Sequence, residues 1–183
     1  MIIAIDPGPT DSAYCVLRCK EDVWSQCTMI GCYGKGPNHD VLARLSCVEF
    51  CSVKHLVIEQ VASYGMPVGE DVFETVFWSG RFAQAWAEHG QVHRIKRHEV
   101  KMHLCHSTRA KDSNIRQALI DRLGPVGTKK QPGPCYGLSG DVWAAVAVGV
   151  TWIATHTQAS PRASVAQARA IQVDDPTTHP HPP

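Results

Sequence analysis

Three acidic residues, far apart in the chain, each sit where an apolar run gives out. Asp6 ends MIIAID, Glu59 ends LVIE, and Asp141 follows Ser139-Gly140 at the head of DVWAAVAVGVT. A carboxylate at the end of a buried strand needs a compensating partner. In an open α/β sheet, sites collect beyond the carboxyl ends of the strands, so Asp6 and Glu59 on adjacent strands would stand side by side. Like charges at that separation are unfavourable unless a cation lies between them. Oxygen donors with no histidine or cysteine in the motif favour Mg²⁺ or Mn²⁺, and clustered carboxylates hold two such ions roughly 3.5–4 Å apart for phosphodiester hydrolysis. One ion would activate water and the other would stabilise the leaving oxygen. Each acid also has a local reading. Asp6 before Pro7-Gly8 suits a turn, and Asp141 in the first turn of a helix complements its dipole. Glu59 has no local capping duty after LVI.

A second constellation is basic. The segment HRIKRHEVKMHLCHSTRAK, from His93 to Lys111, holds six Lys or Arg against one Glu in a chain whose net charge is only +1. The overall balance excludes a uniformly basic coat, so a nucleic-acid partner must be met by a local patch, and this segment is such a footprint. A solvated helix face is the alternative. Lys129 and Lys130, in the Gly/Pro-rich loop GPVGTKKQPGPCYG, are further candidates for phosphate contact.

The elements that must position these groups follow from periodicity and turn chemistry. Residues 2–6, 12–18 and 24–31 read as three strands joined by short turns, hence antiparallel neighbours. A helix over 38–50 and a compact strand at 56–59 imply a crossover and a parallel pairing. GEDVFETVFWSGRFAQAWAEHG reads as a second helix, with Val72, Phe73, Val76 and Phe77 on one face and Gly90 at its end. A strand at 92–96 follows. KDSNIRQALIDRLGP reads as a helix capped by Asp112 or Ser113 and stopped by Gly124 and Pro125. The last helix starts near Ser139, and being apolar nearly all round it should lie against the sheet.

The expected fold is therefore α/β, a mixed sheet of three antiparallel strands and then parallel ones, flanked by helices. At 183 residues and 44% hydrophobic content the chain suits one core. We expect one domain over 1–156 and a disordered tail over 157–183, where four prolines follow Asp175. Met1 to Ile5 is too short for a signal-peptide core and the apolar run from Val142 is too short to span a bilayer, so a cytoplasmic location with no membrane partner is expected. Eight cysteines contain no C-x-x-C and read as reduced thiols.

IDPG at 5–8 with a strand resuming after it, IEQV at 58–61, RHEVK at 97–101 followed by AKDSNIRQAL, and the final DVWAAVAVGVT occur in that order. The set resembles the RuvC-type Holliday-junction resolvases of the ribonuclease H-like superfamily, and looks most like the divergent RuvC-like proteins of bacteriophages. The likeness covers about residues 1–155 and leaves the tail unexplained. It implies a ribonuclease H-like fold and a four-carboxylate, Mg²⁺-dependent endonuclease, acting as a homodimer that makes paired nicks in branched DNA. A phage origin would make that the host cytoplasm.

Carried over by motif, Asp6, Glu59 and Asp141 fall on catalytic, metal-holding positions. Lys101 and Lys111 match basic positions near the scissile phosphate, which implies DNA backbone contact, with charge stabilisation in the reaction assigned to Lys111. Arg97 opens the same basic motif and is assigned to DNA. Tyr64 lies in the loop where the family carries an aromatic that stacks at the junction opening, a contact worth ~1–3 kcal/mol. One departure stands out. The family places another carboxylate or a histidine one turn before the final aspartate, and here that position is Leu138. Asp11 and Glu74 are candidates to replace it.

Three other readings compete. Leu138 suits a structure-specific DNA-binding module with impaired catalysis. The same carboxylates would serve a ribonuclease acting on RNA–DNA hybrids. DPGPT also resembles the phosphate loop of an actin-like or sugar-kinase ATPase, but such proteins need two related lobes, and 183 residues with no second such loop argue against it.

Overall fold

The computed structural model describes residues 1–19, 27–46, 53–63, 65 and 67–157. Strands β1 (Ile2–Asp6), β2 (Asp11–Cys19) and β3 (Cys27–Pro37) form an antiparallel meander. Helix α1 (Asn38–Leu45) leads to β4 (His55–Gln60), which runs parallel to β1; α2 (Glu70–Trp86) leads to β5 (Gln91–Lys96), parallel to β4. The sheet order is β3-β2-β1-β4-β5, followed in the chain by α3 (Arg97–Cys105), α4 (Asp112–Leu123) and α5 (Val142–Thr157). This is the expected mixed α/β arrangement, antiparallel strands followed by parallel ones and flanked by helices.

Strict alternation divides the core. Ile3, Ile5, Val16, Leu56 and Ile58 pack with α1 and α2 on one face, whereas Ile2, Ala4, Leu17, Val57 and Ile95 pack with α3, α4 and α5 on the other. A central strand covered on both faces must be apolar at every position, and this is why IIAI runs unbroken to Asp6. Helix α5 approaches closely because Gly149 lies over the sheet: a Cβ there would come within 2.6 Å of Leu17 Cδ1 and 3.0 Å of Ala4 Cβ.

Several boundaries and faces depart from the sequence reading. Helix α2 buries Thr75, Trp78, Phe82 and Trp86, while Phe73, Val76 and Phe77 stand 64%, 54% and 58% exposed. The helix carries two apolar stripes, and the one with two tryptophans fills more of the space over the sheet. Helix α3 was not anticipated, because Val100 and Leu104 are its only buried positions in a strongly charged segment. Helix α4 is capped by Lys111 and not by Asp112 or Ser113: the Lys111 amide donates to Asn114 Oδ1 at 2.9 Å. Helix α5 starts at Val142, with Ser139–Asp141 forming the turn that leads into it.

At the amino ends of β4 and β5 the chain gathers rings. His55 Nδ1 and His93 Nε2 lie 3.2 Å apart, both rings pack on Trp152 of α5, and His156 stacks on Trp152 with centroids 4.5 Å apart. Among the described residues Cys15, Cys32, Cys105 and Cys135 form no disulfide, and no helix is long and apolar enough to cross a membrane. The expected tail from 158 onward, the expected strand at 24–26 and the helix end at 47–50 lie outside the described residues, as does Tyr64.

Candidate metal and nucleic-acid site

The parallel register of β1 and β4 pairs Ile5 with Ile58, so Asp6 and Glu59 leave their neighbouring strands side by side. The turn after Asp6 is held by a buried polar network. Ser12 Oγ accepts from the Gly8 amide at 3.2 Å and donates to Asn38 Oδ1 at 2.6 Å, while Asn38 Nδ2 donates to the Gly8 carbonyl at 3.0 Å. Ser12 and Asn38 are almost fully buried, and such groups persist only when satisfied. Gly8 is required here: a Cβ would lie 2.3 Å from the Asp11 carbonyl oxygen.

Burial and neighbouring acids set the electrostatics. The Asp6 carboxyl is pushed up to about 7, first by desolvation and then by Glu59, with Asp141 and Asp112 adding in the same direction and Arg97 opposing. Burial also raises Glu59, against which Arg97 and, more weakly, Lys101 act. Arg97, first residue of α3, forks between two acids: Nη1 donates to Glu59 Oε2 at 3.0 Å and Nη2 to Asp112 Oδ1 at 2.6 Å. Lys35 of β3 reaches Asp141 Oδ2 at 2.7 Å across an exposed surface, and the pairing raises the lysine.

The structure thus places Glu59 and Asp141 within electrostatic reach of Asp6. It also diverts two of them, Glu59 to Arg97 and Asp141 to Lys35. As the side chains stand, no three acidic, histidine or cysteine residues among those described close up into a cage for an ion. The donor chemistry nonetheless fits a hard divalent cation: oxygen donors only, one of them a half-buried carboxyl that its surroundings hold near neutrality. Leu138 is buried in the apolar core, so no acid occupies that position. The additional acid whose charge reaches both Asp6 and Glu59 is Asp112, rather than Asp11 or Glu74.

The basic residues divide. Arg97 is engaged inside the acid cluster rather than presented as a free phosphate contact, because the register of β5 against β4 sets it beside Glu59. Lys101 is half-buried near Glu59, and Lys111 is exposed at the start of α4. Lys129 and Lys130 are exposed in the loop before α5. Sequence reasoning missed Asp112, Lys35, Ser12 and Asn38. Asp112 carried only a capping signal, and the other three none.

A groove of about 580 Å³ runs between α2 and the β4–β5 edge, and its lining includes Glu59 beside Ile58, Gln60, Val76, Gly80 and Val92.

No protein-family model matches the sequence, and no curated protein matches it. Solved structures do match the fold. A Thermus thermophilus RuvC structure aligns at a TM-score of 0.57 and 16% identity, covering 82% of this chain and 91% of that one. The same organism's RuvC in complex with Holliday junction substrate aligns at 0.63 and 15%, covering 82% and 90%. A Fowlpox virus resolvase in complex with substrate Holliday junction DNA aligns at 0.53 and 12%, covering 85% and 99%.

Proposed function

We propose that the protein is a divalent-metal-dependent endonuclease that cleaves phosphodiester bonds in branched DNA, with four-way junctions as its substrate. The observation that carries the reading is the pair Asp6 and Glu59, set side by side at the strand ends with Asp6 raised to about 7. The fold likeness to two resolvases solved with Holliday junction DNA supports the choice of substrate. Asp6, Glu59 and Asp141 would hold Mg²⁺ or Mn²⁺, two ions in all. When bound, such ions supply an activated water and neutralise charge on the leaving oxygen. Lys101 and Lys111 flank the acids and contact the DNA backbone, positioning it without reading sequence; Lys111 also stabilises charge at the scissile phosphate. Tyr64, Lys129 and Lys130 extend the DNA contact.

Paired nicks need two such sites, and α2 supplies a face for a homodimer. Phe73, Val76 and Phe77 are exposed, and Gly80 has open space where a Cβ would stand. Antiparallel packing of two α2 helices about Phe77 sets Glu74 of one copy near Arg81 of the other, a self-complementary arrangement. The expected result is that Phe77→Glu yields a monomer by sedimentation and that the monomer loses paired nicking.

The test of activity is cleavage of a four-way junction with Mg²⁺ or Mn²⁺, run beside an RNA–DNA hybrid of matched length. Glu59→Gln should abolish cleavage and leave junction binding intact. Preference for the hybrid would reassign the substrate. One observation favours a second reading: the apolar Leu138, with Glu59 and Asp141 both ion-paired, suits a junction-binding module with impaired catalysis. Junction binding without product in either metal would select it.

A further inference from the structure

We infer that Arg97 is a built-in counter-ion of the acid cluster, which a divalent ion must displace from Glu59, and that Asp112 keeps the displaced guanidinium close by. The inference rests on the metal-dependent reading above and goes beyond it by naming the group that competes with the ion.

The geometry is fixed by the backbone. β4 and β5 pair Glu59 with Ile95 and Gln60 with Lys96, so the residue after Lys96 emerges next to the Glu59 carboxylate. The start of α3 is pinned by its own cap, in which Glu99 Oε2 accepts from the Lys96 amide at 3.0 Å. Glu99 is therefore occupied and does not draw Arg97 away. The guanidinium forks between the two acids it touches, with Asp6 also within reach of its charge.

Those two contacts are unequal. The Glu59 side chain is 14% exposed and that of Asp112 is 81% exposed. Buried and partly buried charges depend on their partner, whereas an exposed pair contributes little and exchanges readily with water. Without a divalent ion, Arg97 supplies the main counter-charge, ahead of Lys101, to an acid that faces Asp6. An incoming ion with two positive charges needs the same carboxylate and repels the guanidinium. Asp112 lets the arginine swing aside without leaving the site, because one nitrogen keeps its acid while the other lets go. A monodentate lysine at this position could not do both.

Competition and orientation make opposite predictions. If Arg97 competes, Arg97→Gln binds Mn²⁺ more tightly than wild type, by about 3- to 10-fold in dissociation constant by calorimetry. If Arg97 instead orients Glu59 for the ion, the same variant binds more weakly, and that result overturns the inference, as does an unchanged constant. Asp112→Asn leaves Arg97 with Glu59 alone and should weaken Mn²⁺ binding. In the double variant that loss should shrink to the smaller part that Asp112's own charge contributes at Asp6 and Glu59; a loss undiminished by Arg97→Gln would mean that Asp112 does not act through Arg97 and would overturn its assigned role. Thermal melts give a second readout. Arg97→Gln should melt lower than wild type without metal and gain more on adding Mn²⁺. Failure of wild type itself to bind Mn²⁺ would sink the metal-dependent reading, an outcome distinct from failure of the arginine's role.

Discussion

The strands β4 and β5 end in opposite kinds of chemistry. At their carboxyl ends, beside β1, acids crowd together and the protein answers with cations: Arg97 on Glu59 and Asp112, Lys35 on Asp141. At their amino ends, histidines crowd together and it answers with neutrality. His55 and His93 share a hydrogen bond, which exists only while at least one ring is neutral, and both lie against Trp152. Burial lowers both histidines, assisted at His55 by the chain's amino terminus, His156 and Lys54, and at His93 by His55 and His156. One end balances its acids with cations, and the other lowers the affinity of its histidines for protons.

The sharpest way to break this contrast is at Asp6. A carboxyl raised from 3.8 to about 7 binds its proton more tightly in the folded state, so folding is favoured at low pH. The penalty of its charge grows as pH rises from about 4 and is complete above about 7. Asp6→Asn removes that penalty. In metal-free protein at pH 8 it should raise stability by on the order of 2–4 kcal/mol, measured by denaturant unfolding, while abolishing junction cleavage. A variant that gains stability and loses activity is the mark of a site that stores repulsion for a ligand. Loss of both would make Asp6 an ordinary structural turn residue.

The next largest effect concerns what holds the acid end in shape. Asn38→Ala removes the amide that donates to the Gly8 carbonyl and the oxygen that accepts from the Ser12 hydroxyl, in a buried setting, which costs roughly 1–3 kcal/mol. Cleavage should fall as well, because the turn carrying Asp6 loosens, whereas the ring cluster at the other end should keep its near-ultraviolet dichroism. A uniform loss of signal from both ends would mean that they are not separable.

Much of this contrast was legible in the sequence on one side only. Unbroken apolar runs ending in Asp6 and Glu59 announce both the central strands and the acids that leave them, since burial on two faces removes any other pattern. The antiparallel neighbours and the parallel crossover followed from the same runs and the turns between them. The contacts between distant segments were not legible. Arg97 looked like one of six positive charges in a basic stretch, and only the β4–β5 register shows that it faces inward. Asp112 looked like a helix cap, but Lys111 holds that position and Asn114 accepts from its amide. The histidines were three among ten, separated by 38 and 63 residues, with no periodic signal to join them. Helix α2 misled because it is apolar on two sides, and side-chain volume rather than spacing decided which side met the sheet.

The smallest effect tests the histidine end by pH alone. A histidine lowered below its ordinary 6.5 binds protons more readily when unfolded, so stability falls as pH drops below about 6.5 and levels off once the folded rings have also titrated. The groups that act on His93, namely His55 and His156, are basic, and the amino terminus and Lys54 reinforce them through His55; protonation therefore adds repulsion with no acid to absorb it. His93→Gln retains an amide able to meet His55 and cannot gain charge. It should leave stability at pH 7.5 nearly unchanged and flatten the decline between pH 6.5 and 5, read from melting temperatures in steps of half a unit. Within that same window Asp6 pulls the other way, its charge being relieved as pH falls, so Asp6→Asn should steepen the decline that His93→Gln flattens. Parallel profiles for the two variants would mean that the two ends of the sheet do not differ in the way their side chains require.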